Sequence, residues 1–465
     1  MSELLPATFI TEASVRACAQ VGQEPDWLLA ERMDALQRFG ELPLEVNPLF
    51  TLYVDLRAAK LAEVVPYEQV GEAANLATRL PAGAAALLEV REDTVTVRAL
   101  SPEARAAGVI VDTFANVVHD RPELIRAVVE GGGSLPADDK LAQLARAASA
   151  VGVLVHVPAG VELAAPIVVR WAVGAGGRAL VSRTVVSLGD EAHARFLEEQ
   201  VDSGAPNGAQ ALWSGTLEVV LGDGATLDVA AEQDLPGHVV SFVNRRASLG
   251  RSSTLRWALA HVGGLVSKSR VDNRLVGRGA TVKQVEIGFG GQNQVFDLTS
   301  YTTHIGEDTT GDLLSKGVFQ DRARGYMKGM IEIERSAHGT DSFLGEFGML
   351  LDRKARSVTI PSLEIDQPDV RRAAHSSSVG PIDETQVFYL MTRGIPPDVA
   401  RKAVVLGFLE PVVARIPMAD AQDRLRERLD RKWSERAGQA AAGQAAAGQA
   451  AAAQGAATAT GEAAA

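Results

Sequence analysis

A single cysteine, Cys18, stands in 465 residues. That scarcity excludes an intramolecular disulfide and any Cys-rich zinc or iron–sulfur site made by this chain alone. Cys18 itself lies in an alanine-rich segment of helical pattern and reads as a small apolar residue. Basic charge is in deficit, with a formal net charge of −12, so the basic stripe that binds nucleic-acid phosphates is missing and no nucleic-acid partner is expected. No apolar run approaches the roughly 18 residues of a membrane span, and MSELLPATFI has no basic stretch ahead of an apolar one. The expected location is the cytoplasm, with no membrane partner. Nucleotide chemistry is absent as well: GGLVSKS at Gly263 lacks the glycine before Lys268, and the glycines Gly288, Gly290 and Gly291 do not open a helix. A G-x-S-x-G elbow is also missing.

What the chain does have is a turn that recurs between β-branched runs. It reads LGDEAHA from Leu188, LGDGATL from Leu221, LGRSSTL from Leu249, VGRGATV from Val276 and IGEDTTG from Ile305. The glycines Gly189, Gly222, Gly250, Gly277 and Gly306 follow at intervals of 33, 28, 27 and 29 residues, a period that signals repetition. Between them, Thr216 to Val220, Thr226 to Ala230, Ser253 to Val262 and Thr281 to Ile287 read as strands. One such unit cannot bury its own apolar face, so stacked coils sharing a core, a parallel β-helix, are the expected architecture. An antiparallel sandwich is the alternative that the same Asp/Gly turns would serve.

The chain divides into four segments. Residues 1–150 are mixed: helical spacing from Thr11 to Phe39, broken near Gly22 to Pro25, then an irregular stretch to about Arg98, a short strand at Val109 to Val111, and helices over Arg121 to Gly131 and Ala137 to Ala150. GVLVHVPAGVELAAPIVVRW from Gly152 opens a β-helix core, 151–382, with the first segment available as its end cap. In 383–436, Asp383 is a helix-cap signal, Gly394 a stop, and Pro396 and Pro397 a restart. Val404, Phe408, Val412 and Ile416, then Leu425, Leu429 and Trp433, give these helices more apolar surface than an end cap needs, so part of it should stay open as a docking face. The tail, 437–465, repeats GQAAA and is expected to be disordered.

Two further readings compete for function. Of the eight histidines, His304, His338 and His375 are spaced close to the repeat, and a stacked column of imidazoles could bind a metal. A β-helix enzyme acting on carbohydrate is the rival class. It needs paired carboxylates and aromatic faces, whereas aromatics make up 5% of the chain and only Trp171, Trp213 and Trp257 supply tryptophan to the repeat region.

The strongest phrases are GVLVHVPAGVELAAPIVV from Gly152, HIGEDTTGDLLSKGVFQDRARGYMKGMIEI from His304, LLDRKARSVTIPSLEI from Leu350, HSSSVGPIDETQVFYLMTRGI from His375 and GFLEPVVARIP from Gly407. They resemble the SufB/SufD family of iron–sulfur cluster assembly scaffolds over nearly everything except the alanine tail, and EPDWLLAERMDALQRF from Glu24 resembles that family's amino-terminal helix. The resemblance implies a mainly β protein: a right-handed parallel β-helix core, a mixed α/β amino-terminal region and a helical carboxy-terminal region. It also implies a non-catalytic subunit that pairs with SufB through the β-helix and docks the ATPase SufC through the carboxy-terminal helices, Phe408, Val412, Leu425 and Leu429 among them. A homodimer is left open. His375, in AAHSSSVG, matches the SufD histidine, so the resemblance implies a ligand to a transient iron–sulfur cluster or iron shared with SufB, with no stably bound cofactor. In some SufD sequences a cysteine lies two residues earlier, where this chain has Ala373. The lack of cysteine in the repeat fits the SufD branch better than the SufB branch, whose thiols carry sulfur. A purely structural His375 is the plainer alternative.

Overall fold

The computed structural model describes residues 5, 9–129 and 135–434; the alanine-rich tail lies outside these described residues. From Val151 onward successive strands fall alternately into a 10-stranded and an 11-stranded sheet. Every strand pairs in parallel with the strand two places on, as in Ala211–Leu221 with Val239–Leu249 and Thr226–Asp234 with Thr254–His261. The result is a parallel β-solenoid of about eight turns, and the antiparallel sandwich is excluded.

Register is kept from coil to coil. Val157, Leu188, Leu221, Leu249, Leu275, His304, Ile333 and Ile365 stand one above another at a single corner. Immediately after this column the turn glycines stack on one another. A Cβ at Gly222 would lie 2.8 Å from the carbonyl carbon of Gly189, and one at Gly250 3.0 Å from that of Gly222. Only glycine fits this backbone-on-backbone contact, which is why the repeat is readable in the sequence. The lumen is filled by side chains, with Trp171, Trp213 and Trp257 fully buried. Each fully buried large apolar side chain contributes on the order of 2 kcal/mol.

The flanking segments lie on the outer faces of the solenoid rather than only across its ends. Helices Glu12–Val21 and Asp26–Glu41 pair with Lys140–Ala148 over the 10-stranded sheet. There the buried Arg183 guanidinium spans the Glu218 carboxylate at 2.5 and 2.9 Å and reaches Glu31 of the second helix at 2.9 Å. Residues 43–60 form a strap farther along the same face. Phe50 is fully buried against Tyr301 and Met330, and Asp55 accepts from Arg324 at 2.7 Å. Ala86–Arg91 and Thr94–Leu100 form an antiparallel hairpin that extends the 11-stranded sheet, within the stretch expected to be irregular. Its signal was the alternation of TVTVRAL after the acidic turn at Glu92, whose φ is +53°.

On the opposite face, Pro397–Val413 and a last helix over 419–434 cover the 11-stranded sheet. Val412, Leu425, Leu429 and Trp433 are buried in one cluster with Val285, Ile287, Phe289 and Val318 of the strands. Phe408 is half-buried, its ring under the Lys316 ammonium at 4.5 Å while Lys316 Nζ donates to the Phe408 carbonyl at 2.7 Å. The expected open face at Phe408, Val412, Leu425 and Leu429 is thus corrected for the last three, which are buried and hold the helices on the solenoid, while Phe408 is half-buried. No helix among the described residues is long and apolar enough to cross a membrane.

Candidate functional site at the open end of the solenoid

The two ends of the solenoid differ. At the amino-terminal end the outermost strands are short, Ile110–Thr113 with four residues and Gly71–Ala77 with seven, and helices Phe114–Asp120 and Pro122–Val129 pack beside the first of them. At the other end Arg356–Ile365 and Val370–Pro381 are 10 and 12 residues long. They terminate the 10- and 11-stranded sheets, respectively. Pro361 sits inside the first of these, a position a strand tolerates at a sheet edge because proline brings no N–H to the ladder. Long unpaired edges are templates for another chain.

Side chains alternate between lumen and exterior. In the last strand Ala373 packs into the apolar cluster of Leu313, Ile331, Ile333 and Leu344, so it faces the lumen. His375, Ser377 and Val379 share its side. His375 is exposed at the mouth, directly above Leu344 in the register. The proposed histidine column does not exist. His304 is a buried member of the corner column in the other sheet, with Nδ1 at 2.8 Å from Thr309 Oγ1 and Nε2 at 3.0 Å from Ser342 Oγ. Burial pushes its imidazole down to about 4, so it is neutral. His338 lies in the turn after Arg324–Ile333. Among the described residues no group of three His, Cys, Asp or Glu side chains is disposed to hold a metal ion.

One buried group near the mouth escaped the sequence reading. Glu346, 2% exposed, sits in the lumen one coil below Ser377, on the same interior column. Its Oε2 accepts from the N–H of Ile360, in the last strand of the other sheet, at 3.1 Å. Gly329 makes room for the carboxyl, since a Cβ there would stand 2.9 Å from Glu346 Oε1. Burial pushes the carboxyl up to about 8. Glu286 adds to the rise, while the Ile360 N–H and the more distant Lys328 oppose it.

The helix that follows the last strand supplies the exposed apolar surface. Asp383 caps it by accepting from the Thr385 N–H at 2.8 Å, and Gly394 ends it at φ +82°. Between them Phe388 is 65% and Tyr389 57% exposed and Met391 is also open, as is Val399 at the start of the next helix.

Fold and site together define a β-solenoid with one blunted end, one open end carrying a histidine, and an exposed apolar helix beside it. Residues 171–408 match the family model described as the SufBD core domain of the SUF system for FeS cluster assembly. The chain is 28% identical to the iron–sulfur cluster assembly protein SufD of Bacillus subtilis (strain 168) over 437 residues, covering 91% of this chain and 98% of that protein. It is 24% identical to SufB of the same organism, covering 88% and 90%, and 24% identical to a SufBD family protein of Staphylococcus haemolyticus with the same coverage. The chain belongs to the SufBD family of iron–sulfur cluster assembly proteins.

Proposed function

We propose that this chain is the SufD-type half of a solenoid pair, a non-catalytic cytoplasmic scaffold on which iron–sulfur clusters are assembled. The observation that carries this reading is the asymmetry of the ends: two edge strands of 10 and 12 residues stand open where the opposite end is short-edged and flanked by helices. A SufB-type solenoid adds its own strands to these edges, placing His375 at the junction. His375 then offers a neutral imidazole nitrogen to iron or to a nascent cluster, which is cargo rather than a resident group. With no three-ligand group among the described residues, the remaining ligands come from the partner, whose thiolate is the natural complement in a pairing where this chain contributes no cysteine near the site.

SufC docks on the hairpin of Glu384–Thr392 and Pro397–Val413, through the exposed Phe388, Tyr389, Met391 and Val399 rather than through the buried Val412, Leu425 and Leu429. The helix lies two residues beyond the last strand, so nucleotide-driven movement of the docked ATPase would act directly on the open edge. Pairing is tested by co-purification with a SufB-type partner. Lysines at Ser376 and Ser378, on the outer side of the edge strand, should weaken recovery of the pair by about tenfold or more. Undiminished recovery would exclude this end as the interface.

A further inference from the structure

The lumen of the last three coils is lined mainly by apolar side chains, Leu313, Phe319, Met327, Ile331 and Leu344 among them, and into it the fold sets one carboxyl. Among the described residues no cation lies within ion-pair distance of Glu346. Its single hydrogen bond comes from the Ile360 backbone. A buried acid without a counter-charge costs several kcal/mol, and a solenoid core gains nothing from it that a leucine would not supply. Such groups mark functional sites when they face a cleft. This one does. Above it in its own column stands only Ser377, flanked on the interior side of the final strand by His375 and Val379, with Thr359 and Pro361 on the interior side of the other sheet's last strand. Gly329 leaves room on the facing strand for Leu344 and the carboxyl alike: a Cβ there would meet Leu344 Cδ2 first and Glu346 Oε1 at 2.9 Å.

We propose that Glu346 is a cation ligand of the mouth, supplying carboxylate oxygen to a divalent ion that His375 holds from the coil above through imidazole nitrogen. His375 faces Leu344 across the ladder, two residues from Glu346, so the two are diagonal neighbours on the interior face, about 7–8 Å apart and within reach of long side chains. Mixed nitrogen and oxygen donors suit a borderline divalent ion such as ferrous iron. Ligands must be deprotonated, so the proton Glu346 carries at neutral pH leaves to solvent as the ion enters. The inference rests on the reading of the mouth as the assembly face and adds to it a docking position for iron that this chain provides before a partner arrives.

The test uses the isolated full chain and cobalt(II) as a spectroscopic probe. The wild-type chain should bind one cobalt ion. Glu346→Gln, which keeps the shape and removes the charge, should weaken binding by about tenfold or more, and so should His375→Ala. The double variant should lose less than the sum of the two single losses, as for two ligands of one ion. Glu346→Asp should restore part of the loss. Binding by Glu346→Gln equal to wild type, or no binding by the wild-type chain, would overturn the inference and leave the pairing reading standing. Cobalt binding that needs both residues, together with cluster assembly in the SufB-type pair that is indifferent to His375, would sustain the ion site and remove the reading of the mouth as the assembly face.

Discussion

Gly306 lies on Gly277 so closely that a Cβ at 306 would stand 2.7 Å from both the carbonyl carbon and the carbonyl oxygen of Gly277. The two backbones are neighbouring coils of the corner that carries the repeat. Gly306→Ala should therefore destabilise the chain by about 1–3 kcal/mol through overpacking. Gly208→Ala, where nothing lies within 4 Å of an added Cβ, should be near neutral. Thermal unfolding of the two variants decides; equal midpoints would contradict the stacking.

Glu346 and His304 give opposite pH dependences. The Glu346 carboxyl is raised to about 8 from an ordinary value near 4.5. Across that window the native state holds a proton that the unfolded state has released, and stability falls as pH rises. Glu346→Gln should raise the unfolding midpoint by several degrees at pH 8 and much less at pH 5. His304 is lowered from 6.5 to about 4. Here the unfolded state binds the extra proton, and stability is lost as pH falls from about 6.5 toward 4. His304→Gln should flatten that acid limb. Midpoints measured from pH 4 to 9 check both signs.

The ion network under the second helix holds the amino-terminal region to the sheet. Arg183 and Glu218 are both essentially inaccessible, and Glu31 completes the cluster. Removing Glu218 alone leaves a buried guanidinium short of its partner and should cost about 3–5 kcal/mol. Replacing Arg183 and Glu218 together with methionine should cost less than Glu218→Ala. A double variant less stable than the single one would mean that packing, not charge, dominates there.

Phe388→Asp should leave the unfolding midpoint nearly unchanged, because the ring is mostly in water. It should lower SufC affinity by about tenfold or more if the hairpin is the docking face. Leu425→Asp, placed in the buried cluster, should instead destabilise the fold. A Phe388→Asp chain that binds SufC and stimulates its ATPase normally would move the docking face elsewhere.

The solenoid was legible because its period is enforced by backbone contact: glycines that cannot be replaced, such as Gly222 and Gly250, repeat in the sequence itself. His375 is singled out by its motif and not by its chemistry, since an exposed histidine on an edge strand has no local signature. Which apolar residues of the last helices would be open was not legible. Pro397–Val413 is apolar on nearly every side, so its spacing marks no single face, and burial of Val412 against Phe289 depends on a sheet distant in sequence. For the same reason Phe50 of the strap, and Asp297 and Lys328 buried beneath it, read in sequence as ordinary members of a loop or a solvated strand face. Glu346 was missed because a carboxylate in an alternating strand normally points to water, and only the register places it in the lumen.

The most direct measurement is iron and acid-labile sulfide on the anaerobically reconstituted complex of this chain with its SufB-type and SufC partners, wild type against His375→Ala. The complex should assemble equally well in both, with cluster content clearly reduced in the variant. Equal iron and sulfide on an intact variant complex would contradict the placement of cluster assembly at the open end of this solenoid.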